Sequence, residues 1–298
     1  MLIDDIQGIG THWWFELHNT TNTSEYYRNI ICDEINKFEK SYSRFLPDSL
    51  VSQLNKQQIL ANPPTELIAL LTICSQYYGL TNGSFNPALG EILENRGYDI
   101  EYSFEHKSKP ETLVNFDDLV ILNDSEIRLN GSGNIDLGGL GKGFLIDKLA
   151  DIFCHELDLN SFLINGGGDI YVSSDYQKEV ILEHPFTPGY TMGSIDLQGQ
   201  SLGCSSNQKR NWKTKNTGET FGHIIDPWDI NKYINLASFV VADTAVVADI
   251  VATVLCIIGD DTSKIQKLLQ NITFEYAIVS PNNDLIISSG FPQICHSK

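Results

Sequence analysis

Residues 133 to 147 read "GNIDLGGLGKGFLID", with five glycines, one lysine and two aspartates in fifteen positions. Glycine-rich loops beside a lysine commonly cradle phosphate, so the first question is which phosphate loop this is. A P-loop needs glycine five residues before its Gly-Lys pair and Ser or Thr after it. Here Asp136 stands at the first of those positions and Gly143 at the second. The dinucleotide fingerprint G-x-G-x-x-G fails as well. Counted from Gly139 its last position is Phe144, and counted from Gly141 it is Ile146. "NGGGD" at 165–169 fails likewise, with Tyr171 where the final glycine belongs. Two readings remain: a tight turn between strand and helix, or a phosphate cradle of another kind. Lys142 bears on the choice, because a cation at a helix start opposes the macrodipole and a docked anion would offset that.

Outward from this loop, strand and helix patterns mix without a strict βαβ rhythm, which favours α+β over a doubly wound parallel sheet. "HWWFELH" (12–18) reads as a strand, and 24–40 has apolar residues at helical spacing with Ser24 as N-cap. A helix is expected from about Thr65, after Pro63 and Pro64, to Gly79 or Gly83. Residues 117–130 suggest a hairpin with an Asn-Asp-Ser turn, and the glycine loop should lead into a helix from Gly141 to Leu157. "SFLINGGGDIYVSS", "KEVILEH" and "TMGSIDLQGQSLGCSS" are further strands. "ADTAVVADIVATVLCIIG" is a long apolar helix with Asp243 as its expected N-cap, and "EYAIVSPNNDLIISSG" a closing hairpin. No linker of Pro/Ser-rich composition divides the 298 residues, so a single domain, 1–298, is expected.

Hydrophobic residues make up 42% and charged residues 19%, an ordinary globular balance, while the net charge is −18. Such a surface repels a nucleic-acid backbone, and no basic patch offsets it. An anionic small ligand would need backbone N–H groups, a lysine or a metal cation. The six cysteines are scattered without zinc spacing, and several lie in apolar runs, as in a reducing compartment. The longest apolar stretch, near 245–258, contains Asp249 and is too short to span a membrane. The start has neither a basic region nor an apolar core of a signal peptide. A cytoplasmic location is therefore expected, with an exported or anchored protein whose leader is missing from this chain as the alternative.

Two more constellations carry chemistry. Asp249 and Thr253 stand four apart on the apolar helix, so both oxygens face one side. A buried carboxylate needs a partner, and a hard cation such as Mg²⁺ accepts carboxylate, hydroxyl, carbonyl and phosphate oxygens. The alternative is that Asp249 caps a nearby turn and Thr253 bonds back along its own helix. In "FGHIIDPWD", His223 precedes Asp226 and Pro227, and its open roles are general base, phosphate donor or turn stabiliser.

Taken in order, these pieces resemble the FAD:protein FMN transferase family, the ApbE-like flavin transferases. The resemblance runs through "GIGTHWWFEL", "SRFLPDSLVSQLN", "TNGSFNPALGEI", "DLGGLGKGFLID", "INGGGDIYV", "HIIDP" and "ADIVATVLCIIG". It implies an ApbE-like, T-fold-related architecture of largely antiparallel sheets packed with helices. It also implies Mg²⁺-dependent transfer of the FMN half of FAD onto a Thr or Ser hydroxyl of an acceptor flavoprotein, with AMP leaving. Some members hydrolyse FAD instead, and a non-catalytic FAD-binding protein is a further alternative. Asp249 and Thr253 would be side-chain metal ligands, with the Gly139 carbonyl as a third. Phe45 matches an aromatic that stacks on the flavin ring. Ser84, Phe85 and Asn86 match a flavin-contacting turn, Asp136 and Lys142 match loop positions on FAD, and His223 a histidine near the pyrophosphate. This implies Asp249 and His223 as the catalytic residues. The sequence departs from the family pattern at Asn86 (usually Asp), Phe45 (often Tyr), Gly141 (usually Ala), Trp228–Ile230 and Cys204–Asn207.

Overall fold

A computed structural model of the chain describes residues 1–123 and 125–295. It is α+β, with helices packed on largely antiparallel sheets, as the patterning predicts. The chain gathers into two compact units: Met1–Asn36, Leu140–Gln208 and Asn235–Lys298 form the first, Lys37–Gly139 and Lys209–Ile234 the second.

The first unit is built on an eight-stranded sheet. Its strands are β1 (Leu2–Gly8), β2 (Thr11–Leu17), β3 (Phe162–Gly166), β4 (Asp169–Val172), β5 (Gln200–Ser206), β6 (Ala237–Ala242), β7 (Glu275–Val279) and β8 (Leu285–Ile287). They lie side by side in chain order, and every neighbouring pair is antiparallel. Side chains alternate across a strand, so each face has its own core. On one face Leu163, Ile170, Leu202, Phe239, Val241 and Val279 pack with Val180, Leu182, Ile195 and Leu197. The last four belong to an antiparallel hairpin, Lys178–Glu183 with Thr191–Leu197. All six residues of β6 are buried, which requires cover on the other face too.

That cover comes from α3 (Ala245–Ile258), while α2 (Gly141–Asp151) packs on α3, β3 and β4; both follow α1 (Ser24–Tyr42) in the chain. Helix α3 is apolar almost all round and correspondingly buried. It seats closely on the sheet because Gly203 of β5 has no side chain; a Cβ there would lie 2.3 Å from the Ala248 carbonyl. The Ser238 hydroxyl of β6 donates to the Ala252 carbonyl of α3 at 2.6 Å. The N-cap of α3 is Thr244, whose hydroxyl accepts from the Val247 N–H, and not Asp243. Asp147 of α2 supplies the negative charge that a helix start favours, accepting from the Ala245 and Val246 N–H groups at 2.7 and 2.9 Å.

In the second unit, helix Thr65–Leu80 lies where predicted, and a three-stranded antiparallel sheet joins Ile59–Ala61, Glu126–Leu129 and Val120–Leu122. The expected 117–130 hairpin is thus shorter. Phe116–Leu119 is a helical turn, with the Asn115 amide bonded to Asp118. The turn foreseen there includes Asp124, which lies outside the described residues. The predicted 141–157 helix is α-helical only to Asp151 and continues as a π turn through Glu156. The cysteines are free thiols. No helix among the described residues is long and apolar enough to cross a membrane.

Candidate functional site

The glycines of the opening loop create space; they do not reverse the chain. None of Gly133, Gly138, Gly139, Gly141 and Gly143 has a left-handed φ. The left-handed glycines belong to the other glycine run, where Gly167 (φ 70°) and Gly168 (φ 103°) turn β3 into β4. A Cβ on Gly143 would sit 2.5 Å from the Ala245 carbonyl oxygen, so its absence lets the start of α2 meet the start of α3. That contact sets Lys142 beside Asp249.

The Lys142 ammonium lies 3.1 Å from both carboxylate oxygens of Asp249 and donates a very short hydrogen bond to Asp169 at the start of β4. Asp249 also accepts the Gly143 N–H at 3.1 Å, and Asp169 accepts the Cys204 N–H of β5 at 2.9 Å. Both carboxylates are almost wholly enclosed, Asp249 at 2% exposure and Asp169 at 1%. The anions that offset a lysine at a helix start are therefore the chain's own. Burial, helped by the Asp169 charge, pushes the Asp249 carboxyl well above its ordinary value, and Lys142 and the Gly143 N–H only partly oppose this. Burial alone would lower the Lys142 ammonium, but the two carboxylates outweigh it and hold it above its usual value. One turn along α3, the Thr253 hydroxyl lies 3.1 Å from the Ser205 hydroxyl of β5. With all three charged groups ionised the trio carries one surplus negative charge, in a place where bare charge is costly.

This donor set suits a hard cation. It offers carboxylate and hydroxyl oxygens, with the Lys142 ammonium seated on the Asp249 carboxylate. Among the described residues no three His, Cys, Asp or Glu side chains form a complete cage. Mg²⁺ characteristically takes one or two carboxylates and completes its shell with water and substrate phosphate, so an incomplete cage is what it uses.

The second unit assembles a different cluster. Phe45 stacks parallel to Tyr102 (2° between planes, centroids 5.0 Å apart) and meets Tyr98 edge-on at 5.2 Å. Tyr98 in turn stacks on Trp212 at 5.1 Å. The Arg44 guanidinium lies over Phe45, 4.1 Å from the ring centroid, and its Nε donates to the Asp136 carboxylate. The second Asp136 oxygen accepts the Gly138 N–H. Asp136 is thereby the clamp that joins Arg44 to the glycine loop. Phe85 lies against the loop as well, since a Cβ on Gly139 would be 3.1 Å from its ring. Ser84, Phe85 and Asn86 are all buried. Asn86 caps the short turn that follows, accepting the Ala88 N–H at 2.9 Å, and its amide donates to the Val114 carbonyl. His223 sits with Nδ1 at 3.1 Å from the Arg210 carbonyl. A carbonyl only accepts, so that bond places the proton on Nδ1. Asp226 organises the turn after it, accepting from the Trp228 N–H and from Lys232.

The sequence-predicted residues thus fall into two groups. Asp249, Lys142 and Thr253 lie in the first unit, with the first two in direct contact. Phe45, Ser84–Asn86, Asp136, Gly139 and His223 lie in the second. Asp169 and Arg44 were missed. Asp169 carried a usable signal, as the one acid opening an apolar strand directly after a glycine turn; Arg44 carried none.

An antiparallel sheet in sequential order, backed by a buried helix that presents an aspartate to a loop lysine, defines a class with known members. The chain belongs to the ApbE family, whose model matches residues 9–277. Solved structures share the fold over nearly the whole chain. The ApbE protein of Thermotoga maritima is similar at a TM-score of 0.84 and 18% identity, covering 98% of this chain and 97% of that one. The flavin transferase ApbE of Vibrio cholerae gives 0.78 and 16%, covering 98% of each chain. The flavinyl transferase ApbE of Pseudomonas stutzeri, in its apo form, gives 0.78 and 16%, covering 97% and 93%. At these identities the likeness speaks to the fold. No curated protein sequence matches the chain.

Proposed function

We propose that the protein is an FAD:protein FMN transferase that works with Mg²⁺ and releases AMP. The observation that carries this reading is the Lys142–Asp169–Asp249 cluster, a buried trio of two carboxyl groups around one ammonium, in a chain of the ApbE family. Asp249 and Thr253 would hold the metal through their side chains, and when bound the metal would neutralise charge on the FAD pyrophosphate. Lys142 keeps Asp249 oriented. Asp169 fixes Lys142 through its hydrogen bond. The aromatic cluster of Phe45, Tyr98 and Tyr102 suits a planar ring, which is the chemistry of the flavin. In the reaction, the acceptor's Thr or Ser oxygen forms a bond to the flavin-side phosphorus. The phosphorus–oxygen bond to the adenosine-side phosphate breaks, and AMP leaves with the bridging oxygen. His223, whose ring is held through Nδ1 by the Arg210 carbonyl, is the proposed acceptor of the hydroxyl proton.

The test incubates the protein with FAD, Mg²⁺ and a Thr-bearing acceptor flavoprotein. Fluorescence of the denatured acceptor on a gel, with AMP and FMN followed by chromatography, separates the outcomes. Labelled acceptor with an equal amount of AMP is the expected result. Free FMN and AMP with unlabelled acceptor would make the protein a hydrolase, and intact bound FAD would make it a binding protein.

A further inference from the structure

Arg44 is the most incompletely used buried cation among the described residues. Its side chain is 3% exposed, and Nε donates to Asp136. Nη1 and Nη2 are shut off from solvent, yet neither has a hydrogen-bond partner among the described residues. The nearest carboxylate beyond Asp136 is Glu94, whose Oε1 lies 4.0 Å from Nη1, too far for a hydrogen bond. Glu94 turns its other oxygen to the Asn134 amide. Four N–H donors left unused in a buried place are costly, and a guanidinium presents them as a planar fork.

Two features define the acceptor this fork would take. The first is charge: Asp136 and Glu94 already set two negative charges around one positive charge. A phosphate would add to that excess, whereas a neutral acceptor would not. The second is surroundings: the guanidinium lies over Phe45, at 4.1 Å, and near Tyr98, at 5.3 Å, so its partner would sit beside aromatic rings. We infer that Arg44 is a ligand-binding residue that reads the dioxopyrimidine edge of the flavin, its two amino groups donating to a carbonyl oxygen and the adjacent ring nitrogen. This rests on the FAD reading above. The same fork meets the oxygen–nitrogen edge of guanine, and flavin offers two such acceptor pairs, one at the C2 carbonyl and one at the C4 carbonyl. Asp136 is then a positioning residue that holds the fork by Nε.

The test measures equilibrium binding of FAD, AMP, 2-thio-FAD and 4-thio-FAD in chelator, to the wild type, Arg44→Lys and Arg44→Gln. Arg44→Gln is expected to weaken FAD about 10- to 100-fold, the range for losing a charge-assisted hydrogen bond, and to leave AMP within about twofold. Arg44→Lys recovers little, since an ammonium lacks the fork. Sulfur is the poorer acceptor, so the wild type should bind one of the two thio-flavins clearly less well than FAD. Arg44→Gln should not make that distinction, and whichever analogue is affected identifies the carbonyl. Unchanged FAD affinity in Arg44→Gln, or an equal loss for AMP, overturns the inference while leaving the FAD reading intact. If Arg44→Gln does not fold, the wild type decides alone, and equal affinity for FAD and both thio-flavins overturns the inference. A wild type that binds no FAD, either in chelator or with Mg²⁺, overturns both.

Discussion

Lys142 in the first unit and Arg44 in the second are both cations buried beside carboxylates, and their surroundings differ in what is left over. Lys142 places its ammonium among three carboxylate oxygens from two aspartates. The donors there are used and negative charge is in surplus. Arg44 uses one nitrogen on Asp136 and leaves two without acceptors. There the donors are in surplus. A surplus of negative charge calls for a cation, and a surplus of donors calls for acceptor atoms on a ligand. One cluster therefore suits a hard cation, the other a planar heterocycle.

Removing the Lys142 cation should have the largest effect. Lys142→Met leaves Asp169 and Asp249 buried without their partner, and about 3–5 kcal/mol of stability should be lost, read from urea unfolding. A loss under about 1 kcal/mol would mean that the trio is far better solvated than its burial indicates. Next in size is Gly143→Ala. Its Cβ would meet the backbone of Ala245 and Val246 at 2.5–2.7 Å and drive α2 from α3, costing about 1–3 kcal/mol. Because Lys142 is the preceding residue, the same change should weaken Mg²⁺-dependent activity more than stability alone accounts for. Thr244→Ala removes the side-chain cap of α3 and should cost about 1 kcal/mol, with Asp147 still in place to limit the damage.

The smallest effect is expected in the second unit. Tyr102 stacks on Phe45 but holds a left-handed φ of 48°, unfavourable for a bulky residue by about 1–2 kcal/mol. Tyr102→Gly relieves that strain and loses a contact of similar size, about 0.5–1.5 kcal/mol, so stability should stay within about 1 kcal/mol of wild type. Tyr102→Ala loses the contact without relieving the strain and should be the less stable of the two. The opposite order in thermal unfolding would show that Tyr102 is not strained.

Much of the first unit was legible in the sequence because its signals are local. The apolar helix around Asp249 and the strands on either side of "NGGGD" announce themselves by periodicity and turn residues. The i,i+4 spacing placed Asp249 and Thr253 on one face before any contact was visible. What spacing could not supply was the partner. The anion that excuses a lysine at a helix start was expected to be a ligand, whereas Asp169, 27 residues away, and Asp249, 107 residues away, supply it from within. The purpose of the loop glycines was hidden for the same reason: Gly143 answers to the backbone of Ala245, which is remote in sequence. In the second unit the aromatic cluster draws Phe45, Tyr98, Tyr102 and Trp212 from three separated segments, with no period to betray it. Arg44 gave no sign at all, since an arginine beside a phenylalanine is ordinarily a solvated residue.

In the proposed function the Asp249 cluster handles the charge of the reaction, and the ring of the ligand is held by the second unit. This division is tested most directly with Asp249→Asn, which keeps the shape of the side chain and removes its charge. FAD affinity in chelator and the rate of AMP release with Mg²⁺ and acceptor would be measured on the same preparation. FAD should bind within about tenfold of wild type and AMP release should slow by about 10³-fold or more, the scale of lost electrostatic stabilisation at a reacting phosphate. AMP release at the wild-type rate, with the same Mg²⁺ dependence, would contradict that division.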